Sequence, residues 1–409
     1  MSFHIRPILS ALMRNRTGAV LVSLQIAIAL AVLANSIYVV KQRWDIMHQP
    51  TGIDLDNIFT VSTAGFTANF DHEAMIREDL SYLRSLDGVA AATATTHVPM
   101  AGTVWNTAFR PNTNPTGPSG QGDLYMVDDQ FIDALGLRLI AGRNFRPDEV
   151  LPPIPKDGNL GSFPASVIVT KRFANDMFPN ESPLGKVIYP RPDSPTTIIG
   201  VIETVPGGRV DLDYSGNVVF GPRLPSVGES PSAFYIVRTK PGQLDRNLQT
   251  AETHLAKSNP NRVVDWVRPM SYWVERAFRG DRNMSIFLVT ITGLLVVVTA
   301  LGIFGLATFN VSTRTKQIGT RRALGARRQD IIRYFMVENW LVTTLGIVIG
   351  CVLALAAGYA LTLQYGLPRL SLEYLLAGVL VLWIIGLAAA WKPARRAAGI
   401  SPATATRTV

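Results

Sequence analysis

Few side chains of this 409-residue sequence have the types and spacing that catalysis requires. The five histidines are scattered, no HExxH or Cys/His set occurs, and no pair of carboxylates is singled out by its spacing. No GxSxG turn occurs, and Gly185 and Lys186 lack the first glycine and the hydroxyl residue of a phosphate-binding GxxxxGK[ST] loop. The sequence therefore predicts no metal, cofactor or catalytic site on this chain.

The strongest pattern is a strip of cations between two uncharged runs. RTKQIGTRRALGARRQDIIRYFMVEN, residues 314–339, contains seven basic and two acidic side chains. Gly319 and Gly325 bracket TRRAL, which predicts a short helix with a breaker at each end, and Asp330 suits the start of a following helix. A polybasic loop on anionic lipid, at about 1 kcal/mol per cation, explains the charge but not the ordered Gly, Ala and Leu.

The segments on either side of this strip are long enough to cross a membrane. Such a crossing needs about 20 apolar residues in a helix that covers roughly 30 Å of hydrocarbon. Four runs contain no Asp, Glu, Lys or Arg: Thr17–Val40, Asn283–Thr313, Asn339–Pro368 and Tyr374–Trp391. We expect four transmembrane helices. The first run is also open to interpretation as a cleaved signal peptide, although it is longer than a typical signal core.

Charge is distributed unevenly along the chain. Residues 41–283 contain 24 basic and 27 acidic side chains, a net charge of −3, and the other residues contain 15 basic and 3 acidic ones, a net charge of +12. Because short basic loops stay in the cytoplasm, both termini and the strip are expected inside, and residues 41–283 outside. The cations adjoin membrane ends and the outer part is acidic, so nucleic-acid binding is not expected.

The outer part contains two similar stretches. NIFTVST, an amphipathic helix after Asp71 and VAAATATTHV form one predicted βαβ unit, and SAFYIVRTK, a helix over Gln243–Lys257 and RVVDWV form another. Together they predict a ferredoxin-like sandwich with a strand-rich insertion at about 100–230, unless the similarity is accidental. Within the insertion, PNTNPTGPSGQG and LPPIPKDGNLG are expected to be loops.

Two further features concern the helices themselves. Lys41–Gln49 and Ser271–Asn283 are expected to prolong the first and second spans as stalks, because a continuous helix is stiff. Small residues recur every four positions in the first and third spans, which lets helices approach closely, either inside the bundle or at a dimer face. These residues are Ser23, Ala27, Ala31, Gly346, Gly350, Ala354 and Gly358.

IGTRRALGARRQDIIRYFMVEN resembles the signature of the FtsX-like permeases, and the tail PARRAAGISPATATR is similar to the end of that family. In the outer part, LGLRLIAGRNF, FANDMFPNESPLGKVI and IIGVIETV resemble the MacB-type periplasmic domain. The order of one span, a large outer domain and three spans matches as well. The fold class so implied is a membrane protein with a four-helix transmembrane domain and an α/β (α+β) extracytoplasmic domain of ferredoxin-like porter type with a strand-rich insertion.

This resemblance implies domain boundaries along the whole chain. They are a cytoplasmic N-terminus 1–17, a first span 18–40, the outer domain 41–283, a second span 284–312, a cytoplasmic loop 313–338, a third span 339–365, an external turn 366–373, a fourth span 374–391 and a cytoplasmic tail 392–409. The MacB-type proteins carry an ATPase ahead of the first span, and about 17 residues precede it here. The ATPase is therefore expected on a second polypeptide.

The function implied by the resemblance is that of a non-catalytic type VII ABC transporter permease in a bacterial inner membrane. Its expected partners are a dimer of ATPases that hold ATP and magnesium, a second permease, membrane lipids, and an adaptor with an outer-membrane channel. The residues matched to the ATPase-coupling motif are Arg314, Lys316, Gln317, Ile318, Gly319, Arg321, Arg322, Ala323, Leu324, Gly325 and Ala326. At Gln317 the family usually has Glu, but an amide still forms hydrogen bonds.

Function at the next level of detail stays open at this point. Export of a peptide, drug or lipoprotein is one interpretation, and a regulatory subunit that controls a cell-wall hydrolase or senses peptides is another. The substrate would lie among loops without recognisable chemistry, so its identity is not predicted.

Overall fold

A computed structural model describes residues 16–67, 70–114, 116–154, 163–225, 232–365 and 370–401. They divide into two compact units. The first, called the membrane unit, is formed by the described residues up to His48 and from Gly280 onward, and the second, called the outer unit after its expected location, by the described residues from Gln49 to Arg279. The helices of eight or more residues are α1 (Arg16–Met47), α2 (His72–Ser85), α5 (Leu244–Ser258), α6 (Met270–Ala277), α7 (Arg279–Thr313), α8 (Thr315–Ala323), α9 (Arg328–Tyr365) and α10 (Leu372–Ala398). The shorter helices are α3 (Phe131–Leu135) and α4 (Lys171–Met177).

The first unit contains four helices that are long and apolar enough to cross a membrane, namely α1, α7, α9 and α10. Three of them run well past the uncharged segments of the sequence. The helix α1 continues to Met47, α9 begins at Arg328, and α10 continues through Pro393 to Ala398. Polar residues at the ends of an apolar run continue a helix because its backbone hydrogen bonds do not depend on hydropathy.

Helices α1 and α9 are the most closely packed pair of this unit. A Cβ atom added to Gly346 would lie 2.7 Å from the Ser23 carbonyl oxygen, and one added to Gly350 would lie 2.9 Å from Leu30 Cβ. The Ser23 hydroxyl also donates a hydrogen bond of 3.2 Å to the Val342 carbonyl. The small residues of α9 therefore face α1 inside the bundle, as one of the two interpretations of the sequence predicted.

The second unit is built on one sheet of eleven strands among the described residues. The strands are β1 (Ile58–Gly65), β2 (Val89–Thr95), β3 (Asn106–Phe109), β4 (Gly120–Val127), β5 (Leu139–Gly142), β6 (Ser166–Thr170), β7 (Val187–Arg191), β8 (Ser194–Ile202), β9 (Val218–Pro222), β10 (Ser232–Thr239) and β11 (Arg262–Pro269). Its path is β11-β1-β10-β2-β4-β9-β6-β8-β5, with β3 beside β4 and β7 beside β8.

The two predicted βαβ units pair, and their strands alternate in the sheet. The units β1-α2-β2 and β10-α5-β11 give the order β11-β1-β10-β2 with antiparallel neighbours, which is the ferredoxin-like arrangement. Apolar residues of α2, including Met75, Leu80 and Leu83, are buried in one core with Phe59 and Tyr235 of the sheet. The periodicity of the sequence therefore correctly identified the buried face of α2.

The insertion continues this sheet and closes on itself. Strands β4, β9, β6, β8 and β7 are neighbours in turn, and Arg110, next to β3, exchanges backbone hydrogen bonds of 3.0 and 2.8 Å with Tyr189 of β7. Since β3 also pairs with β4, the six strands form a ring. Phe109, Phe173 and Val219 are among the side chains that fill it. Closure leaves fewer open strand edges in the insertion.

Two expectations from the sequence are wrong in part. The second stalk is not one continuous helix, because α6 ends at Ala277, Phe278 caps it, and α7 begins at Arg279. The last three residues of PNTNPTGPSGQG begin strand β4 rather than a loop, since their backbone groups pair with β3. Of the two proline-rich separators, Pro115 and residues 155–162 lie outside the described residues, as do 366–369 of the external turn and 402–409 of the tail.

Candidate functional site

The basic strip folds as helix α8 with a defined end. The Gly325 N–H donates to the Arg322 carbonyl at 3.2 Å, and the Ala326 N–H donates to the Arg321 carbonyl at 3.0 Å. Gly325 has φ of 96°, the left-handed conformation that glycine adopts without strain. This pair of hydrogen bonds is a Schellman motif, which ends α8 sharply at Leu324.

The interpretation of Gly319 as a helix breaker is wrong. Helix α8 begins at Thr315, and Gly319 is buried in its middle. A glycine inside a helix costs about 1 kcal/mol relative to alanine, and good helix formers and packing on both sides offset that cost. The following helix begins as expected, because the Asp330 carboxylate accepts a hydrogen bond of 2.9 Å from the Arg327 N–H.

One face of α8 packs against the ends of two long helices. Ile318 is buried in an apolar cluster with Ile331 and Phe335 of α9. Alanines of α10 complete the cluster: Ala394, Ala397 and Ala398. The buried Gly319 lies beside Ile318 on the same helix. Burial of this face fixes how α8 is oriented on α9 and α10.

Arginines reinforce this packing. Arg314 Nη1 donates to Glu338 Oε2 at 3.1 Å and lies 3.5 Å from the Tyr334 hydroxyl. Arg322 Nη1 donates to the Ala398 carbonyl at 3.0 Å, at the end of α10. The Arg321 guanidinium lies over the Tyr334 ring, with its carbon 4.8 Å from the ring centroid. Three cations of the strip therefore hold α8 on its neighbours.

The other face of α8 is exposed and has an apolar centre. Leu324 is 84% exposed, at the sharp end of the helix. Lys316, Gln317, Arg321, Ala323 and Gly325 are exposed around or beside it. A leucine that projects among cations suits a partner surface with an apolar pocket and carboxylates at its rim.

The structure thus divides the eleven residues matched to the coupling motif. Five are buried or half-buried and hold the segment in place: Arg314, Ile318, Gly319, Arg322 and Ala326. Six are exposed: Lys316, Gln317, Arg321, Ala323, Leu324 and Gly325. Their role in coupling stays a prediction. The second set is exposed and can contact a partner, although Arg321 within it also lies over the Tyr334 ring.

Sequence reasoning missed the residues that receive α8. Glu338 and Tyr334 of α9 were not singled out, and neither were the alanines of α10. Glu338 carried a signal, since it is the last acidic side chain before a long uncharged run.

Over the ranges that the structure describes, no group of three His, Cys, Asp or Glu side chains has the arrangement of a metal site.

The fold and this segment define a class, a membrane protein with four long apolar helices, an α/β domain and a short cationic helix between two of the long helices. Residues 289–402 match the FtsX-like permease C-terminal region, and residues 19–252 match the MacB-like periplasmic core domain. The second match covers more than half of the chain. The chain therefore belongs to the family of FtsX-like permeases with a MacB-like periplasmic core domain.

Curated relatives have related names. The ABC transporter permease YknZ of Bacillus subtilis (strain 168) is 25% identical over 287 residues, which are 69% of this chain and 68% of YknZ. The macrolide export ATP-binding/permease protein MacB of Neisseria gonorrhoeae (strain ATCC 700825 / FA 1090) is 27% identical over 294 residues, 68% of this chain and 42% of that protein. The chain thus spans less than half the length of this MacB.

Solved structures also resemble the outer unit. The periplasmic region of MacB from Actinobacillus actinomycetemcomitans matches with a TM-score of 0.35 and 16% identity. The match covers 56% of this chain and 95% of the MacB structure. The extracellular domain of YknZ matches with a TM-score of 0.32 and 17% identity. That match covers 50% of this chain and 98% of the YknZ structure.

Proposed function

We propose that this chain is a non-catalytic permease subunit of a type VII ABC transporter. It couples ATP hydrolysis by an ABC ATPase to motion of its extracytoplasmic domain, and that motion exports a substrate. Membership of the permease family supports the class. The names of its relatives, which include macrolide and pyoverdine export proteins, support export as the outcome.

The observation that carries this proposal is the exposed leucine of a segment whose other face is anchored. Leu324 is 84% exposed, and Arg321 and Arg322 lie just before it in the sequence. The buried face of α8 prevents the segment from moving freely, so a push on Leu324 reaches α9 and α10. Leu324 suits a docking contact because it projects among cations from a segment whose other face is held in place.

The remaining parts of the proposal concern location and partners. The distribution of Lys and Arg supports an orientation with α8 and both termini in the cytoplasm, and the bacterial relatives support a location in a bacterial inner membrane. ATP and Mg²⁺ would be held by the ATPase dimer, and this chain would pair with a second permease. An adaptor and an outer-membrane channel would complete an export pathway, and lipids would surround the four apolar helices.

The docking contact can be tested with Leu324→Asp in the tagged full-length chain, purified from its native membranes. We expect the copurifying ABC ATPase to bind the variant about tenfold more weakly or worse, because an apolar side chain that the ATPase would cover becomes a charge. The matched control is Leu184→Asp, an exposed leucine of the outer unit. No ATPase with the wild-type chain, or unchanged binding by Leu324→Asp, contradicts the proposal, and copurification of a cell-wall hydrolase instead supports a regulatory role.

The proposed orientation can be tested by cysteine labelling in intact cells. In a Cys351→Ala background, Gln317→Cys should react with an impermeant maleimide only after the cells are opened. An exposed position of the outer unit, Lys257→Cys, should be labelled once the outer membrane alone is permeable. Labelling of Gln317→Cys from outside would contradict the orientation.

A further inference from the structure

Glu338 is a buried acidic side chain at an unusual place in the membrane unit. It lies on α9 just before the uncharged run, it is 3% exposed, and one of its oxygens accepts the hydrogen bond from Arg314. Its other oxygen, Oε1, has no hydrogen-bond partner among the described residues. A buried carboxylate is costly to keep unless a specific cation faces it.

Arg314 is placed where two helices meet. It is the single residue between the end of α7 at Thr313 and the start of α8 at Thr315. Its side chain is turned inward, with 16% of its surface exposed, so it does not belong to the docking face. The ion pair with Glu338 therefore fixes the start of α8 to α9.

Helix α9, to which α8 is attached, packs closely against α1. The two helices are in close contact at Gly346 and Gly350, and Asn35 of α1 donates a hydrogen bond of 3.1 Å to the Ala354 carbonyl of α9. Helix α1 then continues without a break to Met47. Helix α7 is less buried, because 17% of the residues in its most apolar stretch are buried, compared with 39% for α9 and 44% for α1.

From these contacts we infer that Glu338 is a positioning residue for coupling. The Arg314–Glu338 pair makes α9 follow any displacement of α8, and α9 in turn moves α1 and its outer end. Movement is passed through this pair rather than along the covalent connection into α7, which is less buried than α9. The anchoring step is independent of any partner, and the transmission step rests on the proposed function.

The anchoring step is tested by pulsed electron spin resonance on the full-length chain in nanodiscs, with Cys351→Ala. Spin labels at Lys316→Cys on α8 and Arg333→Cys on α9 report the distance between these helices. Glu338→Gln should broaden the distance distribution at least twofold, and the exchanged pair Arg314→Glu with Glu338→Arg should restore it. The matched control Glu373→Gln, an exposed acid at the start of α10, should leave it narrow. An unchanged distribution in Glu338→Gln would overturn the inference.

The transmission step is tested with the copurified ATPase present. Labels at His48→Cys and Asn283→Cys report the outer ends of α1 and α7, and ATP should change their distance in the wild-type chain. In Glu338→Gln we expect ATPase binding to remain within about twofold while this change is lost, a separation that general unfolding would not produce. A variant that keeps the ATP-dependent change overturns the inference.

The two proposals fail in different ways. If the wild-type chain shows no ATP-dependent change, the proposed function is contradicted, and with it the use of the pair in transmission. The spin-label distance between α8 and α9 still decides whether the pair anchors α8, because that measurement needs no ATPase.

Discussion

Each unit contains a buried carboxylate that is paired with an arginine, Asp79 with Arg262 in the outer unit and Glu338 with Arg314 in the membrane unit, and the two pairs differ in the number of their hydrogen bonds. In the outer unit, Arg262 and Asp79 have side chains that are 1% and 5% exposed. Asp79 also accepts a hydrogen bond of 2.7 Å from the Tyr235 hydroxyl, and Arg262 donates to the Leu255 carbonyl and the Ser258 hydroxyl. Burial raises the pKa of Tyr235 well above its ordinary value, so the hydroxyl stays a donor.

The pair of the membrane unit has fewer partners. Glu338 keeps one oxygen without a hydrogen bond among the described residues, and Arg314 reaches only Glu338 and, at 3.5 Å, Tyr334. A buried network with more hydrogen bonds holds its surroundings more rigidly than one with fewer. The Arg262–Asp79 pair thus joins strand β11 to helix α2 in the outer unit, and the Arg314–Glu338 pair joins the start of α8 to α9 in the membrane unit.

The largest effect is expected from breaking the outer pair. Arg262→Ala leaves the Asp79 carboxylate buried without its cation and should lower the free energy of unfolding by about 3–5 kcal/mol. Denaturant unfolding of the purified chain, followed by tryptophan fluorescence, to which Trp266 and Trp273 of the outer unit contribute, measures this loss. The control is Arg77→Ala, which removes an exposed pair with Glu73 and should cost at most about 0.5 kcal/mol. Similar losses in both variants would contradict the comparison.

An intermediate, pH-dependent effect is expected from a half-exposed pair. Hydrogen bonds from Arg143 lower the pKa of Glu149 from 4.5 to about 2. The folded protein therefore holds this proton less tightly than the unfolded chain, so the stabilisation is complete above about pH 4.5 and is lost as pH falls towards 2. Because Arg143 is 47% exposed, we expect a contribution of only about 1 kcal/mol.

Unfolding of the wild-type chain and of Glu149→Gln at pH 5.5 and pH 3 measures this contribution. The wild type should lose about 1 kcal/mol more than the variant over this interval. Equal losses would mean that the Arg143–Glu149 pair does not contribute to stability.

The smallest effect on stability is expected from replacing both members of the Arg314–Glu338 pair. Arg314→Met with Glu338→Leu removes both charges together and should change the unfolding temperature in detergent by no more than about 3 °C. Arg314→Met alone leaves a buried carboxylate and should lower it clearly. Coupling should still be lost in the double variant, because apolar side chains do not fix the start of α8. A double variant as unstable as the single one would contradict this view of the pair.

Much of the architecture was predictable because it depends on local pattern. Uncharged runs predicted four long helices, and the structure contains them. The position of Asp71 before α2 indicated a capping residue, and the Asp71 carboxylate accepts a hydrogen bond from the Ala74 N–H. The two βαβ units were predicted from strand and helix patterns that need no distant contact. The ferredoxin-like pairing followed from their repetition.

The remaining features depend on contacts between residues far apart in the sequence. The ring formed by the insertion requires Arg110 to meet Tyr189, and no local pattern encodes that pairing. The burial of Gly319 and the inward turn of Arg314 likewise depend on α9 and α10, which follow later in the chain. The six exposed residues of α8 could be named from the family motif, but their separation from the five anchoring ones required the structure.

The position of strand β1 has a consequence for biosynthesis. It lies in the middle of the ferredoxin-like sheet, between β10 and β11, yet it precedes β10 by more than 160 residues. Its edges stay open until the ribosome has made the chain past residue 269, whereas the ring of the insertion is complete at Pro222. Because distant strand pairing is slow, we expect the ring to form first and β1 to need protection from aggregation until β10 and β11 have been made.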